Sequence, residues 1–185
     1  MTLHKIATGL TLAALLGLGA CDKAGKEEAT PTKAAKEAAG DSTIAKGLGD
    51  ATTFAAAAKA AGLDLTLEGP GPYTVLVPTN AAFDKMPAGA LDALMKPEAR
   101  AELTGVLSYH ILPGAILTSD IAKAVDTGKG KTQLQTMGGG TLTATKEGTA
   151  IILSDSAGTK ARIEGADEKK SNGVIHRIDA VLMPS

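Results

Sequence analysis

Tryptophan is absent from this 185-residue chain, and Phe and Tyr contribute two residues each. A core with so little aromatic bulk has to be assembled from Leu, Ile, Val, Ala and Met. A basic excess is also missing: 19 Lys and Arg face 20 Asp and Glu, so the phosphate-neutralising charge of a nucleic-acid binder is not there. One cysteine, Cys21, precludes an internal disulfide and a thiolate metal cluster. The longest apolar run, Ile6 to Leu18, falls short of the roughly 20 residues needed to span a bilayer. What is plentiful is glycine, 22 residues, which points to many tight turns rather than to a helical bundle.

The N-terminal run has a different use. Lys5 gives a short basic region, the apolar stretch follows, and Leu18-Gly19-Ala20-Cys21 closes it with small residues before the cysteine. This resembles a bacterial lipoprotein signal over residues 1–20, with Cys21 as the lipidated first residue of the mature chain. An ordinary signal cut near Cys21, leaving a free thiol, is the alternative. Residues 21–41 hold Lys, Glu, Ala, Gly and Thr with no large apolar side chain, too little to offset the entropy of ordering. They are expected to act as a flexible tether, on the order of 25 Å long as a coil. One folded domain, 42–185, follows.

Within it, Ser42 is placed to cap a short helix at Thr43–Leu48, and Asp50 a second helix carrying Phe54, Ala57, Ala58 and Ala61 and stopped by Gly62. Tyr73–Val77 reads as a strand buried on both faces and ended by Pro78. Thr79 or Asn80 then caps a helical turn that carries Phe83 back onto the sheet. Gly89–Met95 forms a further turn of helix. Pro97 opens a longer helix with Leu103, Val106, Leu107, His110 and Ile111 on one face, broken by Pro113-Gly114. Ser119 caps Asp120–Val125. After Gly130 the period becomes two, predicting a hairpin across Gly138-Gly139-Gly140, strands at Ala150–Ser154 and Lys160–Glu164, and an extended Val174–Met183. Helices crowd the first half and strands the second, which makes the class α+β.

Three stretches invite a chemical reading, and each falls short. Thr127–Thr132, "TGKGKT", ends like a phosphate loop, but Val125 stands where the first glycine is required and the flanking elements come in the wrong order. His110 and His176 are two histidines where a catalytic zinc takes about three ligands. Ser108 and His110, two apart on a helix, point too far from one another to act as nucleophile and base. No catalytic residue, cofactor or metal site is expected.

Three segments taken together resemble the fasciclin (FAS1) family: "GPYTVLVPTNAAFDKMP", "LTGVLSYHILPG" from Leu103 to Gly114, and "SNGVIHRIDAVLMP" from Ser171 to Pro184. They stand in family order across Thr43–Pro184. The resemblance implies a β-wedge of two sheets flanked by several helices. It carries the signature positions Pro78, Thr79, Asn80, Phe83, Tyr109, His110, Asn172, Gly173, His176 and Asp179, as structural residues or interaction points. It also implies a non-catalytic adhesion or interaction module, monomeric, with a protein or polysaccharide partner. Binding of a small periplasmic ligand or help in envelope assembly is the alternative. Lipidated Cys21 would hold the domain on the periplasmic side of a bacterial envelope, and Asp22 resembles an inner-membrane retention signal.

Overall fold

The computed structural model describes residues 40–184. The expectations for the signal, Cys21, Asp22 and nearly all of the tether lie outside them. Among the described residues are six α-helices: α1 (Thr52–Ala61), α2 (Asp64–Glu68), α3 (Asn80–Asp84), α4 (Ala90–Leu94), α5 (Arg100–Tyr109) and α6 (Thr118–Thr127). Seven strands accompany them: β1 (Tyr73–Pro78), β2 (Ile111–Pro113), β3 (Lys131–Gln135), β4 (Thr141–Glu147), β5 (Ala150–Ser154), β6 (Lys160–Lys170) and β7 (Gly173–Ile178). Their order across the sheet is β2-β1-β7-β6-β5-β4-β3.

All neighbours run antiparallel except β1 and β7, which pair in parallel from Tyr73↔Gly173 to Pro78↔Ile178. The strip consists of two halves that share β6. Its first residues, Lys160 to Arg162, pair with β5, and from Ile163 onward it pairs with β7, with a bulge between Glu164 and Glu168 inside that pairing. A bulge bends its strand and raises the local twist, so β6 can serve both halves. These halves are the two sheets of the expected α+β wedge.

β1 is buried from Thr74 to Pro78, with Tyr73 half-buried, as its β-prone run predicts. Val75 and Val77 enter a core shared with Phe54, Phe83, Leu103, Val106, Leu107 and Ile175 beneath α1 to α5. Leu76 faces the other way, into a second core with Tyr109, Ile121, Val125, Leu142 and Leu153 beneath α6. Helices therefore cover both faces of the central strands, and the alternation of one short strand supplies both cores.

Several boundaries differ from the sequence expectation, each because a distant partner outbids the local one. Ser42 caps nothing: its carbonyl accepts the Ser171 N–H at 2.9 Å, and only a 3-10 turn, Ala45–Leu48, follows. Asp50 does not cap α1, which is served instead by Asn80. α2 was not foreseen. The Pro97 helix splits into a 3-10 turn, Pro97–Ala99, and α5. α5 stops at Tyr109, because Ile111 and the pre-proline Leu112 take up the free edge of β1 as strand β2. Ser119 does not cap α6; the helix begins after Leu117, whose N–H reaches the Asp120 carboxylate at 3.3 Å. β6 extends past Glu164 to Lys170, whereas β7 ends at Ile178, so the segment 179–184 is irregular rather than extended.

The glycines of the β3–β4 turn show what close approach demands. Gly139 has φ +85°, while Gly138 and Gly140 lie against Tyr109. A Cβ on Gly140 would run into the Tyr109 ring, and one on Gly138 would sit 2.9 Å from the Tyr109 backbone nitrogen. Gly105, inside α5, has open space where its Cβ would be. Gly140→Ala should therefore destabilise the domain by about 1–3 kcal/mol through overpacking. Gly105→Ala should stabilise it by about 0.5–1 kcal/mol through helix propensity. Urea denaturation of both variants checks the opposite signs.

Candidate functional site

The signature residues occupy separate junctions of the fold and do not converge on one cleft. At the end of β1, Pro78 closes the strand and Thr79 is the N-cap of α3, its hydroxyl accepting the Ala82 N–H at 3.2 Å. Asn80 performs a second capping from outside the helix it serves. Its side-chain oxygen accepts the Thr53 N–H at 3.2 Å, and its amide donates to the Asp50 carbonyl at 2.8 Å, so it secures the start of α1. Phe83 closes the first core. Asp179 accepts the Arg162 N–H at 2.7 Å and continues the β6–β7 pairing past Ile178.

The opposite end of the parallel pair is organised by Asn172. Its oxygen accepts the Ile44 N–H at 2.8 Å, and its amide donates to the carbonyls of Leu67 and Gly69 at 2.9 and 2.8 Å. One buried side chain thus joins the first turn, the end of α2 and the β6–β7 corner. Gly173 follows because a Cβ there would collide with the Tyr73 carbonyl.

Tyr109 is buried, with its hydroxyl donating to the Thr141 carbonyl at 3.1 Å. Burial, and after it the charge of Asp155, pushes the phenol above its ordinary range. His110 is fully buried, edge-on to Phe54. Its Nδ1 lies 2.8 Å from the Val106 carbonyl and must donate; its Nε2 accepts the Leu182 N–H at 3.1 Å. That pair of partners fixes one neutral tautomer. Desolvation lowers the imidazole to about 4, with the Val106 hydrogen bond and Asp155 opposing it.

Among the described residues, His176 is the one whose surroundings resemble catalytic machinery. Nδ1 lies 3.2 Å from Asp167 Oδ1, outside the geometry of a hydrogen bond, and Nε2 donates to the Ile116 carbonyl at 2.8 Å. Nε2 is held by the Ile116 carbonyl, and the side chain, Nδ1 included, has no exposed surface. Asp167 is engaged as well, accepting the Thr118 N–H and hydroxyl at the start of α6.

Sequence reasoning did not single out Asp155, Asp167 or Arg177. Asp155 opens a turn, its Oδ1 accepting the Thr159 N–H at 2.8 Å, while its Oδ2 accepts the Met183 N–H at 3.0 Å. The turn was legible from Asp155 and Gly158; the second partner was not. Arg177 donates to Glu168 at 2.8 Å and to the carbonyls of Leu48 and Gly47. Burial works to raise the Glu168 carboxyl, but Arg177 and Lys170 outweigh it and hold the group below its ordinary range. Among the described residues no group of three His, Cys, Asp or Glu side chains is arranged to hold a metal ion.

With these polar groups spent internally, the surface offers grooves. The larger, about 380 Å³, lies between the α3–α4 region and the C-terminal segment. Ala82, Met86, Pro87 and Ala90 line one side; Val181 and Met183 line the other, with Lys85 and Thr159 as polar members. Lys85 also donates to the Asp179 carbonyl at 2.7 Å.

Two expectations follow. Thr79→Ala and Asn80→Ala should each cost about 0.5–2 kcal/mol, the first by uncapping α3 and the second by uncapping α1. Hydrogen exchange separates them by the helix that frays. For His110, the unfolded chain binds a proton near pH 6.5 and the native ring only near 4. Stability is therefore full above pH 6.5 and falls on acidification, by about 2 kcal/mol at pH 5. Denaturation midpoints that stay flat between pH 6.5 and 5, before most carboxylates protonate, would contradict the assignment.

Comparison with known proteins places the chain. The fasciclin domain family model matches residues 49–184. The chain is 34% identical over 175 residues to the protein sll1483 of Synechocystis, covering 91% of this chain and 89% of that one. It is 38% identical over 133 residues to the transforming growth factor-beta-induced protein ig-h3 of Sus scrofa, covering 71% of this chain and 17% of that one. It is also 31% identical over 114 residues to the immunogenic protein MPB70 of Mycobacterium bovis, covering 62% of this chain and about half, 51%, of that one. Among solved structures, a FAS1 domain pair from the insect cell adhesion molecule Fasciclin I is similar, with a TM-score of 0.56 at 21% identity, over 72% of this chain and 45% of that one. That likeness concerns the fold alone. The α+β wedge, the order of its signature segments and the family match agree: the chain belongs to the fasciclin domain family.

Proposed function

We propose that this protein is a non-catalytic interaction module, tethered through lipidated Cys21 to a bacterial envelope on its periplasmic side. One observation carries the non-catalytic part. Both signature histidines are buried and bonded to the protein's own backbone, His110 through both ring nitrogens and His176 through Nε2. The adhesion role comes from analogy with the insect cell adhesion molecule that shares the fold. The anchor comes from the sequence Leu18-Gly19-Ala20-Cys21.

The groove between α3–α4 and the C-terminal segment is the docking surface we assign. Its methionine and alanine lining suits the apolar flank of a protein segment better than a sugar, because thioether side chains adapt to irregular apolar partners. At about 380 Å³ the groove is also within the lower range of small-ligand sites, which keeps a small apolar ligand as the second reading.

A photo-crosslinking residue at Met86 should capture an envelope partner, and the same residue at Lys146, remote from the groove lining, should not. Equal capture from both positions, or from neither, removes the groove from the proposal. Cys21→Ser should abolish lipidation, leaving the protein unprocessed or free in the periplasm, as membrane fractionation reads directly. A Cys21→Ser protein that still carries lipid and sediments with membranes removes the anchor.

A further inference from the structure

The C-terminal segment after Asp179 lies in no strand, yet Val181 and Leu182 are buried. Two side chains from distant elements hold its backbone. His110, at the end of α5, accepts the Leu182 N–H through Nε2 at 3.1 Å, and Asp155, just past β5, accepts the Met183 N–H at 3.0 Å. Upstream, Asp179 is fixed independently, by Lys85 on its carbonyl and by the Arg162 N–H on its carboxylate. Residues 180–184 are therefore a short arm with an anchored base and a two-point clasp. Ala180, Val181 and Met183 of that arm form one wall of the 380 Å³ groove.

We propose that this arm is an acid-released latch: protonation of His110 removes the acceptor that holds Leu182, and the arm leaves the groove that it walls. The atoms permit no other reading of a protonated ring in place. Nδ1–H already donates to Val106, so the added proton goes to Nε2 and faces the Leu182 N–H, donor against donor, inside a site with no water-exposed surface. Asp155 is the charged group that acts on the ring, and it favours the imidazolium. An imidazolium seeking that carboxylate competes with Met183 for it, so both points of the clasp fail together. Tyr109, the neighbouring titratable residue, is engaged elsewhere, donating to Thr141. The proposal deepens the assignment of the groove as a docking surface and rests on it. A partner docked at neutral pH would be let go in acid, when one wall departs.

Amide exchange on the full chain tests it. Opening the arm returns His110 to an ordinary imidazole, so the opening equilibrium should rise about 30-fold between pH 7.5 and pH 5. Corrected for intrinsic rates, the protection of Leu182 and Met183 should fall by that factor and stay well below that of β1 and β7, whose amides exchange only through global unfolding. His110→Gln retains an amide donor for Val106 and an acceptor for Leu182 but does not titrate, so its arm should show no such fall. Unchanged protection at Leu182, or protection at Leu182 as high as that of β1 at pH 5, would overturn the latch, as would an equal acid response in His110→Gln. If that variant does not fold, the wild-type comparison of the arm with β1 decides alone. Crosslinking from Met86 at the two pH values reads the groove separately. Capture at pH 7.5 that is lost at pH 5 supports the coupling, and capture undiminished at pH 5 overturns it. No capture at either pH sinks the docking reading and leaves the exchange result to judge the arm.

Discussion

The parallel pairing of β1 with β7 is the constraint on which the rest of this domain depends. It joins residues about one hundred positions apart, and a parallel pair cannot be closed by a tight turn. Everything from α3 to β6 is the crossover that makes it possible. Because both strands are buried on both faces, the chain must supply two cores, one beneath α1 to α5, with α1 and α2 coming from before β1, and one beneath α6. The two ends of the pair carry the most restrictive side chains. Gly173 is required where β7 meets the Tyr73 carbonyl, and Thr79 and Asn80 stand where the chain leaves β1 for its helices.

That long connection leaves many backbone groups without partners in their own element, and buried polar side chains satisfy them. Asn172, His110, His176, Asp155 and Asp167 each bond backbone groups distant in sequence. A buried donor or acceptor left unsatisfied costs roughly 1–3 kcal/mol, so each such residue is hard to replace without any catalytic duty. The chemistry available to the protein therefore lies in what these groups hold in place. In His110 the same hydrogen bonds that secure the arm make its hold dependent on the neutral ring, so structural and regulatory roles need not be separate.

Local physics made much of this readable in advance. The two-sided burial of Thr74–Val77 was visible in the β-prone, apolar run that contains it, and the glycine-rich hairpin in the change of period after Gly130. Gly62 stopped α1 with φ +78°, as its position implied. What misled were signals with two possible partners. Ser42 and Asp50 have the side chains of helix caps, yet their carbonyls are taken by Ser171 and Asn80. His110 and Ile111 fit the apolar face of a helix, but the edge of β1 offers Ile111 a full set of strand hydrogen bonds, and the helix stops.

The sequence alone determined the α+β class, the family and the buried central strand, because each rests on composition, short-range spacing or motif order. Tertiary structure alone decided which residue caps which helix, why two of three turn glycines are dictated by the Tyr109 backbone and ring, and that His110 and Asp155 clasp the C-terminal arm. The reason is one of range. Propensity and periodicity act within a few residues, whereas these hydrogen bonds join groups 27 to 128 positions apart, and only the closed fold brings such donors and acceptors within 3 Å or so of each other.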